Sequence, residues 1–173
     1  MKKYLIGILL IIIAVVSVSG CLSGTSDEVK NLTVNNVSFS YPSTWVEALS
    51  MDNNTIAAVG LPSSVDPNTK TAKVSVSIQT QKYSRGFDYF FIDNYESLFA
   101  DTTYKKISEG NVTIGHYSGL ETTYTNTATK MKYRAIWING NGTTYVILCA
   151  APESEFDSHT ADFETVFNSF KIL

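Results

Sequence analysis

Histidine is nearly absent: 173 residues contain only His116 and His159. Two rings leave little for general acid–base work. Cysteine is as scarce, with Cys21 and Cys149 alone. Charge is thin as well. Asp, Glu, Lys and Arg make up 17% of the chain, against roughly 25% in an average soluble domain. No basic run occurs, and the pI of about 5.3 argues against a nucleic-acid binder. The chain has no Gly-x-Ser-x-Gly elbow. It also lacks a His-Glu-x-x-His pair and a phosphate-cradling glycine loop. These absences weigh against an enzyme.

What is present is apolar and aromatic. Hydrophobic residues reach 44% and aromatic residues 12%. Such a chain buries a core, so global disorder is excluded. Its length suits one domain.

The apolar residues are unevenly spread. Met1-Lys2-Lys3 is a short basic start, followed by an apolar run from Leu5 to Val16 broken only by Gly7. A bilayer-spanning helix needs roughly 20 residues. A shorter run behind a basic start reads as a secretory signal peptide. The run ends in mostly small residues, and VSGC at Val18–Cys21 resembles the lipobox of bacterial and archaeal lipoproteins. That resemblance implies cleavage after Gly20 and thioether lipidation of Cys21. The other reading of this stretch is an uncleaved anchor with an incidental cysteine. The expected division is a leader at 1–20, a tether carrying lipidated Cys21 at 21–30, and a folded domain at 31–173. The domain is then expected on the extracytoplasmic face of the cell membrane, held to membrane lipid through Cys21. Without the leader, 11 basic and 16 acidic side chains remain, a net charge of −5.

The mature region reads as strands and two helices. Val37, Phe39 and Tyr41 alternate with Ser38 and Ser40, a strand with one apolar face that Pro42 stops. Thr55–Leu61 is β-prone, and Leu61–Thr69 is a proline-punctuated loop. Over Thr71–Lys82, Val74, Val76 and Ile78 oppose Ser75, Ser77 and Gln79. Further strands are expected at Tyr104–Ser108, Asn111–Ile114, Gly119–Thr127, Lys130–Ile138 and Thr143–Ala151. Asn139-Gly-Asn-Gly142 is a hairpin signal, because Asn and Gly accept positive φ. Cys149, in an apolar strand, reads as a small buried hydrophobe.

Over Gly86–Ala100 the period changes. Phe87, Phe90, Phe91, Tyr95, Leu98 and Phe99 recur at three and four, which predicts an amphipathic helix. Phe156, Phe163, Phe167 and Phe170 predict a second, with Ser154 as a capping residue. A short strand is expected at 169–173. The strands at 131–138 and 145–150 are apolar on both faces, so helices are expected on each side of an antiparallel sheet.

VSFSYPSTW at Val37–Trp45, the Phe-rich helix at Gly86–Ala100 and FETVFNSFKI at Phe163–Ile172 together resemble the PsbP-like family. The resemblance covers roughly residues 31–173. It implies an α+β fold, an α/β/α sandwich with a central antiparallel sheet flanked by helices. It also implies a non-catalytic scaffold without a cofactor. Family members include an extrinsic subunit of the photosynthetic oxygen-evolving complex, bacterial lipoproteins and a Ran-binding nuclear import factor. The chain also looks like small lipoproteins of methanogenic archaea, which implies a surface role outside photosynthesis.

Few side chains suggest a site. Glu153, Glu155, Asp157, His159 and Asp162 form one ligand-capable cluster. Oxygen ligands of this kind hold Ca²⁺-like ions, yet no Asp-x-Asp-x-Asp-Gly loop is present and acidic residues at a helix start need no metal. His116, in Gly115–Gly119, reads as a loop residue. Asn-x-Ser/Thr sequons begin at Asn31, Asn36, Asn53, Asn111 and Asn141. Asn53 and Asn141 fall in expected loops and are the better glycosylation candidates. The functional expectation is a membrane-anchored accessory or binding protein that meets a protein partner at the cell surface. Loops Leu61–Thr69 and Asn139–Gly142 are the candidate contact regions. The alternative is a solute- or metal-binding lipoprotein that serves a transporter.

Overall fold

The computed structural model describes residues 28–140 and 142–173. The leader and Cys21 therefore lie outside the described residues, as does Asn141. Ten strands and two helices follow in order. The strands are β1 (Val29–Val34), β2 (Val37–Pro42), β3 (Val46–Glu47), β4 (Thr55–Gly60), β5 (Ser75–Lys82), β6 (Tyr104–Ile114), β7 (Tyr117–Asn126), β8 (Met131–Gly140), β9 (Thr143–Pro152) and β10 (Lys171–Ile172). The helices are α1 (Phe87–Ala100) and α2 (Thr160–Ser169). A seven-stranded sheet runs β3-β4-β5-β9-β8-β7-β6, and a small sheet runs β1-β2-β10. All named strand pairs are antiparallel.

Register sorts the side chains onto two faces. Val76, Ile78, Ile136, Ile138, Ile147 and Cys149 point to one side. There they meet β2 through Val37, Phe39 and Tyr41, and α2 through Phe163, Val166 and Phe167. Trp45, 1% exposed, packs edge-on against Phe163 with centroids 6.2 Å apart. Each such fully buried side chain contributes about 1.5–3 kcal/mol of transfer free energy. This face is closed by a helix and a small sheet together.

The other face carries Leu120, Tyr124, Tyr133, Ala135, Trp137, Val146 and Leu148, and α1 covers it. Phe91 and Tyr95 are the buried residues of α1. Trp137 sits among Phe90, Phe91 and Tyr95, with centroids 5.5–5.7 Å away. Its Nε1 donates to Tyr95 Oη at 2.9 Å. The expected antiparallel sheet between helices is thus present, with a small second sheet beside α2.

Several boundaries differ from the sequence reading. The strand expected to stop at Pro42 includes Pro42 as its last residue, and it pairs with β1 in a hairpin. Asn35 and Asn36 turn it at φ 44° and 68°, as two-residue turns with positive φ at both positions require. Val29 and Lys30, placed in the tether above, belong to β1. The strand expected from Thr71 starts at Ser75, and Thr71 and Ala72 make only isolated bridges. β6 is continuous, with an irregularity between Lys106 and Ser108. Ser154 does not cap the second helix. A 3₁₀ turn at Phe156–His159 intervenes, and α2 starts after His159 with no side-chain cap.

Candidate functional site

Only half of the α1 face is covered. A helix is about 10 Å across and neighbouring strands lie about 4.8 Å apart, so one helix cannot shield a seven-stranded sheet. α1 packs over β7, β8 and β9 and reaches β6 through Tyr104 and Lys106. Across β5 and β4 the same face carries Ser75, Ser77, Gln79 and Ala58. At the Met131 end of β8, Tyr133 pairs with Ala150 and Met131 with Pro152.

This strip forms the floor of a groove in two joined parts. One has a volume of about 990 Å³ and is lined by Ala72, Lys73, Lys130, Met131, Tyr133 and Pro152 among others. The second, about 330 Å³, includes Leu49, Met51, Ser75, Ser77 and Leu148. Ala72 and Ala150 line both parts. Gly60 makes the bend possible. A Cβ there would collide with the Ala72 Cβ and lie 2.7 Å from the Val74 carbonyl. Without a side chain on Gly60, segment 71–73 crosses close to the sheet edge.

Both parts of the groove carry charged residues. Lys73 and Lys130 are exposed, and neither forms an ion pair among the described residues. Lys130 is held at φ 55°. Asn126 Oδ1 accepts from the Ala128 and Thr129 amides at 3.0 Å each, and the Glu153 amide donates to the Lys130 carbonyl at 2.9 Å. Glu153 supplies a carboxylate on this part of the lining. Asp66 lies near Lys73. Backbone N–H groups of Thr69 and Asn68 hold the Asp66 carboxyl below its usual range, and Lys73 adds a smaller effect. Burial raises the Tyr133 phenol above its ordinary range. The second part carries Asp52, whose Oδ1 accepts from the Asn54 amide at 2.8 Å.

The acidic cluster expected from sequence is dispersed. Asp157 turns to Lys132 at 2.9 Å, with its side chain 87% exposed. His159 Nδ1 lies 2.9 Å from Asp162 Oδ2. Glu153 and Glu155 are exposed, and Glu153 lines the groove. Among the described residues no three His, Cys, Asp or Glu side chains converge into a metal site. Cys149 is fully buried, and burial raises its thiol well above the ordinary range. His116 is an exposed loop residue after Gly115. Asn53 is exposed in the turn before β4.

The loop at 61–69 folds on itself. Ser64 Oγ donates to the Leu61 carbonyl at 2.9 Å, and the Val74 amide donates to Ser64 Oγ at 3.1 Å. Asn139 Oδ1 accepts from Tyr83 Oη at 3.0 Å. Neither loop lines the groove. On the opposite face, Arg134 bonds Glu121 at 2.9 Å and Glu164 at 2.7 Å, over the Phe167 ring. That network ties β7, β8 and α2 together.

Sequence reading missed the groove. Its signal was the polar alternation of Ser75, Ser77 and Gln79, which marks a strand face that no helix seals. The lining drawn from β8, β9 and segment 71–73 depends on long-range pairing.

No protein-family model and no curated protein matches the sequence. The solved structures do match. The solution structure of cyanobacterial PsbP (CyanoP) from Synechocystis sp. PCC 6803 superposes with a TM-score of 0.61 at 11% identity, covering 90% of this chain and 99% of that one. The crystal structure of LpqN, involved in cell envelope biogenesis of Mycobacterium tuberculosis, gives 0.50 at 11% identity, over 83% and 90%. The fold is PsbP-like, as the sequence motifs implied.

Proposed function

We propose that the chain is a membrane-anchored, extracytoplasmic binding module that performs no chemistry of its own. The observation that carries this reading is the open groove on the half-covered sheet face. Its floor belongs to strands locked in register, so it needs no rearrangement to receive a ligand. A rigid, mostly apolar floor with a few polar groups is the usual make-up of a recognition site. Neither His nor Cys lines it, so it lacks the common nucleophile–base pair. The VSGC string supports anchoring through Cys21 at the outer face of the cell membrane.

A protein partner at the cell surface is the first reading of what the groove meets. A small solute passed to a transporter is the second. The larger part, about 990 Å³, lies within the range of roughly 300–1,000 Å³ typical of small-ligand sites. A photo-cross-linking residue at Lys73, in cells, separates them from a control at Asn168, which is exposed on α2. Protein adducts from position 73 alone support the partner. A small added mass from position 73 alone supports the solute. Equal adducts from both positions remove the groove from the function.

A further inference from the structure

We infer that the groove binds a neutral oligosaccharide, one sugar ring stacking on Tyr133 and the hydroxyls of the chain bonding the polar row Ser75, Ser77 and Gln79. This rests on the binding-module reading above and names its ligand class.

Register builds an aromatic wall. Tyr124, Tyr133, Ala150 and Ser75 lie side by side across β7, β8, β9 and β5. The Tyr124 and Tyr133 rings are stacked, with centroids 5.0 Å apart and planes at 19°. That separation matches the spacing of neighbouring strands, about 4.8 Å, so the stack runs across the sheet. The second face of Tyr133 therefore turns toward β9, where Ala150 is too small to cover it. Tyr133 and Ala150 both line the larger part of the groove. An aromatic face is an apolar surface. The C–H face of a sugar ring is apolar too, and it continues the stack over Ala150.

The polar row lies one strand further on. Ser75, Ser77 and Gln79 line the smaller part, and Ser77 and Gln79 are 9% exposed. From Ser75 to Gln79 is about 14 Å at roughly 3.4 Å per residue, longer than one hexose. Polar side chains this nearly buried are normally hydrogen-bonded. The hydroxyls around them are engaged elsewhere: Ser50 with Asp52 and Thr55, Ser64 with Leu61 and Val74, Thr71 with Thr69. None of these bonds reaches the row. Hydroxyl and amide groups both donate and accept, as sugar hydroxyls do.

Charge and topology argue against other ligands. Lys73 and Lys130 share the larger part with Glu153, Asp66 lies beside Lys73, and Asp52 lines the smaller part. Neither part carries a single sign, which disfavours an ionic ligand. An extended peptide is read at a free sheet edge or through apolar anchors in pockets. Strands β5, β9 and β8 are each paired on both sides. The floor is built mostly from small side chains, Ala58, Ser75, Ser77 and Ala150.

The test uses the full chain in a detergent without a sugar head. It is passed over a printed array of neutral and uronate-bearing oligosaccharides, and the strongest hit is titrated by isothermal calorimetry as its mono-, di- and trisaccharide. A neutral chain is expected at one site, its trisaccharide at least about tenfold tighter than its monosaccharide, because only the longer ligand reaches both Tyr133 and Gln79. Gln79→Met keeps the volume and should weaken binding about tenfold, the effect of losing a buried hydrogen bond. Tyr133→Phe keeps the ring and should bind as the parent does, whereas Tyr133→Ser should bind at least about tenfold more weakly. Near-ultraviolet circular dichroism checks the fold of each variant, and if Tyr133→Ser unfolds, Gln79→Met decides. The same trisaccharide linked to a carrier protein separates the sources: retained affinity supports a displayed chain, lost affinity a free sugar. Parent-like affinity in Gln79→Met and in folded Tyr133→Ser overturns the inference. Preference for uronate-bearing chains overturns the neutral class, and a monosaccharide binding as tightly overturns the chain. Retention of no neutral oligosaccharide refutes the inference, and protein adducts from position 73 then leave the binding module standing.

Discussion

Tyr95→Phe isolates one hydrogen bond at the centre of the α1 face. Tyr95 and Trp137 are 7% and 4% exposed, and the indole Nε1–H donates to the phenol oxygen at 2.9 Å. The substitution keeps the ring, and with it the stacking on Phe99 at 5.7 Å and the edge contact with Phe91 at 4.9 Å. What is lost is the acceptor, which leaves a buried N–H without a partner. That should destabilise the domain by about 1–3 kcal/mol. At roughly 2–4 °C per kcal/mol for a domain of this size, the melting temperature should fall by about 2–12 °C. Urea unfolding followed by near-ultraviolet circular dichroism reads the change. A double-mutant cycle gives the decisive comparison. In a Trp137→Phe background the donor is already gone, so Tyr95→Phe should then cost close to nothing or stabilise. An equal loss in both backgrounds, or no loss in the first, would refute the assignment of this bond as the polar tie between α1 and β8.

Further expectations follow from the same core. Burial raises the phenols of Tyr95, Tyr124 and Tyr133 and the thiol of Cys149. The unfolded chain therefore releases these protons first, near pH 8.5–10. Stability is full below that range and falls as pH rises through it, by up to about 1.4 kcal/mol per group per pH unit. Alkaline denaturation curves should show this, and Tyr124→Phe should flatten them. Cys149 should resist thiol reagents in the native state and react only in denaturant, as a labelling time course would show. Gly119→Ala should lower stability by about 1–3 kcal/mol in urea unfolding, because a Cβ there collides with the Trp137 carbonyl of the neighbouring strand. Cys21→Ser should release the domain from membranes or leave an unprocessed precursor, scored by fractionation and intact mass. A variant still processed and membrane-bound would end the lipobox reading.

Local patterns carried most of the fold into the sequence. Phe91 and Tyr95, and Phe163 and Phe167, fall at helical spacing, and the structure buries each of them. Residues 131–138 showed apolar character on both faces, and both faces do meet cores: Ala135 and Trp137 lie under α1, Ile136 and Ile138 under the α2 layer. The first hairpin was hidden because β1 alternates weakly and its turn is Asn35-Asn36, a pair without glycine. The pairing of β10 with β2 joins segments about 130 residues apart, which no local period encodes. The groove was hidden for a related reason. Two-sided apolar strands implied a cover on each face, while the extent of a cover depends on helix width against sheet width. One helix over seven strands leaves a remainder, and Ser75, Ser77 and Gln79 are the residues placed in it.

That remainder has two kinds of residue, and they answer to different pressures. Ser77 and Gln79 are each 9% exposed and suit a sheet face that water reaches. A purely structural remainder would need nothing else. Leu49 and Met51, at 62% and 85% exposure, bury little surface and so contribute little to folding, since transfer free energy scales with area removed from water. Leu49→Ser should shift stability by less than about 0.5 kcal/mol, as surface substitutions usually do, while weakening whatever occupies the groove. A loss of stability well above that would make Leu49 a packing residue. Stability unchanged with ligand affinity reduced would place Leu49 and Met51 among the recognition residues and separate the groove's function from its fold.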